Sequence, residues 1–285
     1  MTPPPVVCYH RIGRPLEVGV TRVSRRTFER HMRALADRGW RTLTLAEFTS
    51  AVLDPGTPHP APRTFFLTFD DGYESLADFA YPVLAELGFR ATTFLITDYV
   101  GRTNDWDARY TRHRLRHLDW SAVESWRGRG FDFASHTASH PRLTWLSDER
   151  VRDELGRSRE TLVRRLGPDA GLAVAYPFGA SDSRVANLAR DAGYELGLGG
   201  VFGNGRPHEL PRVPVYAWDR GSVPVGLRDD LMGRAGRLLA YLANRCAVGT
   251  TLLKGFGVRS PRVPPLRQPP SPSRGSLYPR RSSSP

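Results

Sequence analysis

The sequence predicts an α/β domain built on a mostly parallel sheet, and three observations carry that reading. Strand-like and helix-like stretches alternate along the chain, the pattern of consecutive β-α units. A chain of 285 residues is long enough to bury one substantial core in a single domain. Its composition, 40% hydrophobic and 25% charged, is that of an ordinary globular protein, and no apolar run approaches the roughly 18 residues that span a bilayer.

The elements follow in order. Val6–Tyr9 is a short apolar strand. Ser24 is placed to N-cap a helix in which Phe28, Met32 and Leu35 share one face and Gly39 supplies the stop. A strand at Arg41–Leu43 leads into Thr44 and Glu47, which have the spacing of a capping box. Phe65–Phe69 is a buried strand. The helix after it turns Leu76, Phe79, Val83 and Leu87 inward, is kinked or restarted at Pro82, and ends at Gly88. Ala91–Ile96 is a strand, 102–117 a long polar loop over one face, Ser121–Arg127 a helix and Phe131–Ser135 a strand. Val151, Leu155, Leu162 and Leu166 mark a long amphipathic helix closed by Gly167. Leu172–Tyr176, Glu195–Gly199 and Arg212–Tyr216 complete the strands, with a helix at Arg184–Ala192 between the first two; no internal repeat is present.

Residues 1–254 read as the folded domain. Residues 255–285 hold eight prolines, six arginines and no acidic residue, a composition that cannot bury enough surface to offset its ordering entropy, so a disordered tail is expected. That tail carries half of the net charge of +12, and Lys254 is the chain's only lysine; the basicity is an arginine bias without a nucleic-acid-binding motif, and no nucleic-acid partner is expected. Cys8 and Cys246, far apart, read as two small buried hydrophobes rather than a disulfide framework or zinc motif. The N-terminus shows no charged leader with an apolar stretch behind it, so a cytoplasmic location is expected.

Three short segments carry chemistry, and each follows an expected strand: Thr68-Phe69-Asp70-Asp71-Gly72-Tyr73, Ser135-His136-Thr137-Ala138-Ser139-His140-Pro141, and Tyr176-Pro177-Phe178-Gly179. In barrels of alternating strands and helices, residues at the C-terminal strand ends face the active site, which here gathers two carboxylates and two imidazoles around one opening. One Asp and two His make a three-ligand set for a divalent metal with positions left open. The remaining carboxylate is then free to act as general base toward a water acidified by the metal. Taken singly, Asp-Asp-Gly is common turn chemistry and a His-x-x-x-His pair is often accidental. Gly72 allows the sharp turn by which adjacent aspartates serve one site.

These segments resemble the first three motifs of the polysaccharide deacetylase family, the NodB-homology carbohydrate esterases, over roughly residues 6–220. The resemblance implies a distorted (β/α) barrel of about seven strands and a hydrolase acting on carbon–nitrogen bonds other than peptide bonds. Its substrate would be an N-acetylated or O-acylated poly- or oligosaccharide. It implies Asp70 as general base, with Asp71, His136 and His140 as ligands of a divalent metal, Zn2+ first, with Co2+, Mn2+ or Ni2+ as substitutes. The Tyr73 backbone N–H would bind the oxyanion, while Pro177 and Phe178 line the substrate side. Tyr9-His10 is similar to the Tyr-His opening of the exopolysaccharide branch and puts His10 at the site.

The chain departs from the family pattern twice. Ala175 stands where the family carries an arginine that orients the base, and Arg212 is the candidate to supply that guanidinium from a neighbouring strand. The Leu-x-His motif that provides the general acid is not found: Thr251-Leu252-Leu253-Lys254 is its nearest match, with lysine in place of histidine, and His208 is a weak substitute. Trp106, Trp145 and Trp218 are candidate sugar platforms. These departures leave two other readings open, a catalytically weak carbohydrate-binding relative and an amidohydrolase of the same fold acting on a small non-sugar amide.

Overall fold

A computed structural model describes residues 3–13, 21–54, 61–103, 115–228, 233 and 235–242. The 255–285 tail, the Thr251–Lys254 stretch, Cys246, Trp106 and most of the 102–117 loop lie outside the described residues.

The strands β1 (Val6–Tyr9), β2 (Arg11–Gly13), β3 (Arg22–Ser24), β4 (Arg41–Thr42), β5 (Thr64–Phe69), β6 (Thr92–Leu95), β7 (Asp132–Ser135), β8 (Ala173–Ala175), β9 (Leu196–Leu198) and β10 (Val213–Pro214) are short and pair in parallel. The main sheet runs β10-β1-β5-β6-β7-β8-β9, with β4 added at the start of β5, while β2 and β3, which sequence patterning missed, form a separate pair. The two ends of the sheet meet. Leu210 bridges to Leu198 of β9, and two residues beyond Arg212 the same stretch pairs Pro214 with Cys8 of β1. Seven strands thus curl into a distorted barrel, as expected.

Successive strand residues face opposite sides. One buried cluster gathers Val6, Phe66, Phe94, Ala134, Ala173, Ala175, Leu196, Leu198 and Leu210, taken from alternate strand positions, and fills the barrel interior. Leu45 and Phe48 of α2 (Leu45–Leu53) belong to it as well, with Phe48 stacked on Phe66 at 4.2 Å, so this helix stops the N-terminal mouth. The other parity, including Val7, Tyr9, Phe65, Leu67, Phe69 and Phe133, packs outward against helices.

The helices begin and end where their chemistry dictates. Ser24 Oγ accepts the Thr27 N–H at the start of α1 (Arg25–Asp37), which buries Phe28, Met32 and Leu35. That helix closes with Gly39 N–H to Ala36 O and Trp40 N–H to Leu35 O, a geometry that needs the left-handed φ of 72° at Gly39. Thr44 and Glu47 form the reciprocal capping box. One expectation is corrected: after β5 the chain makes a π-helical turn at Leu76–Ala80 before α3 (Tyr81–Glu86) restarts at Pro82. The wider turn shifts the phase, so Ala80, Tyr81 and Leu84 are buried beside Leu76 while Phe79, Val83 and Leu87 pack at the rim. Further on, α4 (Trp120–Arg127), α5 (Asp148–Leu166) and α6 (Ser183–Asp191) lie close to their expected bounds; residues 235–242 add helical structure that the sequence pattern missed. No helix among the described residues is long and apolar enough to cross a membrane.

Candidate metal centre and acid–base site

The inward parity of three strands continues past their C-terminal ends into the site, and the stretch leading into β10 adds a fourth residue. Val6 and Cys8 lead to His10, Phe66 and Thr68 to Asp70, Ala134 to His136, and Leu210 to Arg212. These four residues converge because the barrel wall delivers them. The remaining ligand candidates, Asp71 and His140, are reached by turns.

After β5 the chain adopts two consecutive left-handed residues, Asp71 at φ 68° and Gly72 at φ 70°. This reversal lets adjacent aspartates serve one opening. A side chain at position 72 would place its Cβ 2.5 Å from Leu95 Cδ2, so glycine is required twice over. After β7, Thr137 (φ 67°) and His140 (φ 63°) are also left-handed, and Phe178 (φ 60°) repeats this after β8. Among the described residues, four of the five non-glycine residues with positive φ therefore sit at this site, the distribution expected where geometry is held for function. The His136–His140 turn is held by α5, where Glu154 accepts from Ser139 N at 2.8 Å and Ser139 Oγ at 2.6 Å, and by Thr137 Oγ1, which accepts from His140 N.

Asp71, His136 and His140 are buried and offer ligand atoms that all lie within 4.8 Å of one another. Asp71 Oδ1 is 3.5 Å from His136 Nε2 and 3.6 Å from His140 Nε2. Tetrahedral ligands with bonds of about 2.0–2.1 Å stand about 3.4 Å apart, so the set fits one zinc-sized cation. His136 Nδ1 donates to the Ala175 carbonyl at 2.8 Å, which leaves the Nε2 lone pair facing the carboxylates. Burial, with Arg212 adding to it and Asp70 opposing it, lowers the His136 pKa to about 4, so the ring is in the neutral form that ligates. The Phe178 ring meets His140 edge-to-face at 4.8 Å beside buried Pro177.

Asp70 is turned to a different partner. Arg212 donates Nη1 to Oδ1 at 2.7 Å and Nη2 to Oδ2 at 3.0 Å, and its Nε donates to Gly199 O. Burial would raise the Asp70 carboxyl, but the Arg212 guanidinium, helped by His136 and His10, holds it well below the usual carboxylate range. Ala175, the family's arginine position, is an inward-facing residue too small to reach Asp70; the guanidinium arrives instead along the strand that closes the barrel. His10 Nε2 stands 3.9 Å from Asp70 Oδ2, with a fifth of its side chain exposed. Cys8, His10 and Asp70 also cluster, but Arg212 already occupies both Asp70 oxygens and lies 3.6 Å from the Cys8 sulfur. Burial together with Asp70 pushes that thiol far up, so this second cluster does not suit a cation.

Tyr73 is buried beside the site. Its segment pairs with 116–118 through Leu118 N–H to Gly72 O and Glu74 N–H to Arg116 O, a pattern that directs the Tyr73 N–H away from that neighbour. His208 is elsewhere: its Nε2 donates to Tyr194 O, and it lines a groove with Ser183, Asn187 and Arg190 of α6. Trp145 and Trp218 are exposed, the latter stacked on Tyr216 at 4.6 Å beyond the end of β10. Sequence reasoning missed His117, a lone histidine in the polar loop whose Nδ1 lies 2.7 Å from Asp71 O; no periodicity or motif marked it.

Residues 58–197 match the profile of the family described as polysaccharide deacetylase. A Bacillus subtilis protein named for that family, YxkH, is 28% identical over 194 residues, covering 68% of this chain and 63% of its own length. This chain therefore spans less than two thirds of that relative. The poly-beta-1,6-N-acetyl-D-glucosamine N-deacetylase of Staphylococcus aureus is 24% identical over 206 residues, 68% of this chain and 67% of its own. The solved structure of the Streptococcus pyogenes deacetylase PplD in complex with acetate shares the fold at a TM-score of 0.66 and 23% identity, covering 79% of this chain and 96% of that one. With its motifs at the strand ends of the expected barrel, this chain is similar to the polysaccharide deacetylase family, whose profile matches residues 58–197.

Proposed function

We propose that this protein hydrolyses N-acetyl groups, or related acyl groups, from a polysaccharide or oligosaccharide of N-acetylated sugars, using a divalent cation held by Asp71, His136 and His140. The observation that carries this reading is the placing of two adjacent carboxylates in different settings at one opening: Asp71 faces two imidazoles while Asp70 is gripped by Arg212. A cation at that set, Zn2+ first and Co2+, Mn2+ or Ni2+ as substitutes, supplies Lewis acidity toward the acyl carbonyl and toward water.

The chain's own residues do the rest. Asp70, ionised by Arg212, accepts the proton of the attacking water. The Tyr73 N–H donates to the carbonyl oxygen as charge builds on it, worth about 10²–10³ in rate in comparable donors. His10, partly open to solvent and 3.9 Å from Asp70, gives its proton to the departing nitrogen, the role that the Leu-x-His motif would otherwise fill. Pro177 and Phe178 shape the acyl pocket against His140. Exposed Trp218, stacked on Tyr216, offers a flat face for a sugar ring.

A binding relative without activity is the weaker reading, because a pure ligand site has no need of the Arg212–Asp70 pair or of His10 beside it. The test is acetate release from N-acetylglucosamine oligomers with added Zn2+ or Co2+, comparing the wild type with Asp70→Asn. Metal-dependent release that falls by about 10²–10⁴-fold in the variant, the usual worth of a general base, supports the proposal. Wild-type protein that binds the metal and releases no acetate from sugars, but hydrolyses a small amide, would replace the carbohydrate substrate with the amidohydrolase reading.

A further inference from the structure

We propose that His117 is a positioning residue for the metal centre, fixing the backbone of Asp71 so that its carboxylate meets both imidazoles. The proposal rests on Asp71 being a metal ligand.

The turn at Asp71-Gly72 places two left-handed residues in a row, and aspartate has no intrinsic preference for that conformation strong enough to hold it. Both carbonyls of this pair are secured by one three-residue segment. The His117 ring accounts for Asp71 O at 2.7 Å, and the Leu118 N–H accounts for Gly72 O at 2.8 Å. A carbonyl oxygen only accepts, so His117 Nδ1 carries the hydrogen. The direction of the Asp71 carbonyl is set by the same backbone torsion that orients Cα and side chain relative to Gly72. Pinning that oxygen therefore fixes the backbone from which Oδ1 reaches to 3.5 and 3.6 Å from His136 and His140.

The anchor is itself rigid. His117 is 2% exposed, its ring centroid is 5.0 Å from Tyr73 and 5.7 Å from Tyr99, and its N–H donates to Arg102 O. Leu118 O in turn accepts from Gly101 N–H. The 116–118 segment is thus clamped between 101–103 and 72–74 and holds the metal ligand from behind, without reaching the reacting atoms.

The experiment is a set of full-length variants measured for metal affinity by chelator competition and for melting temperature in metal-free buffer. His117→Phe keeps the ring contacts and removes the donor. His117→Asn places an amide N–H where Nδ1 stood, and His117→Gln places it too far out. Zn2+ binding roughly 10-fold weaker in the Phe and Gln variants, and within about threefold of wild type in the Asn variant, is expected at unchanged metal-free melting temperature. The turnover lost by Phe and Gln should return with excess metal. Asn as weak as Gln, or wild-type affinity throughout, overturns the proposal. Should the Phe variant not fold, the Asn–Gln comparison decides alone. Asp71→Asn serves as the control: if it binds Zn2+ as the wild type does, the ligand assignment fails, whereas a weak Asp71→Asn beside an unaffected His117→Gln sinks only the role of His117.

Discussion

Arg212 reaches Asp70 from 142 residues further along the chain, and the pair illustrates how single residues are tuned here. Both side chains are 4% exposed, so each charge is tolerable only because the other is present. Arg212→Met leaves a buried carboxylate without its counter-charge. A loss on the order of 3–5 kcal/mol is expected in denaturant unfolding, together with a fall in kcat, since Asp70 is no longer held ionised and oriented. Arg212→Lys should recover less than half of the stability, because an ammonium cannot make the two parallel bonds. A variant at position 212 that unfolds at the wild-type denaturant midpoint would show that Asp70 is held by something else. The same residue corrects what motif matching alone would conclude from Ala175: the guanidinium is present, relocated to the strand that closes the barrel.

Among elements, the contact between β1, α1 and the 219–221 turn holds a pH-sensitive group away from the site. Tyr9 O–H donates to His31 Nδ1 at 2.8 Å, and His31 Nε2 donates to Gly221 O at 3.0 Å, so the ring is locked neutral. Burial, partly offset by Asp219, lowers its pKa to about 4 from an ordinary value near 6.5. Between those values the unfolded chain binds the proton and the folded one does not, so stability is full above pH ~6.5 and declines as pH falls toward about 4. The slope is up to ~1.4 kcal/mol per pH unit. Denaturant melts of metal-bound protein from pH 7 to pH 4.5 should show this decline, and His31→Gln should flatten it. An unchanged slope in the variant would assign the sensitivity to other groups. The long amphipathic helix α5 was legible from four leucine and valine positions, yet its Glu154, which anchors the ligand turn, was invisible because a glutamate on a helix reads as solvated surface until its partner, Ser139, is known.

For the whole molecule, the seven-stranded barrel has one interior, stopped at its N-terminal mouth by α2, so the candidate metal site stands on the same core as everything else. Cation binding should therefore stabilise the entire domain. At a free concentration of 100 Kd the gain is about 2.7 kcal/mol, read as a higher Tm with Zn2+ than with chelator. Asp71→Asn should lose that shift while keeping the chelator-treated Tm close to the wild-type value. A shift that survives in Asp71→Asn would place the cation elsewhere.

The sequence alone determined what is local. Apolar spacing and capping chemistry set nearly every element, as at Ser24, Thr44 and Gly39, because a cap or a 3.6-residue stripe involves only neighbours in the chain. The strand-end motifs named Asp70, Asp71, His136 and His140 as a set, because their chemistry is written in contiguous residues. The small β2–β3 pair and the phase of the helix after β5 were decided by packing, where the π-helical turn moved Phe79 to the rim and Tyr81 to the core. Arg212 and His10 were already candidates in the sequence, but only the tertiary structure gave them their geometry around Asp70, and it alone put His117 behind Asp71. Each of these contacts joins residues far apart in the chain, and their geometry exists only once the barrel has closed and its strand parity has aimed those side chains at a common point.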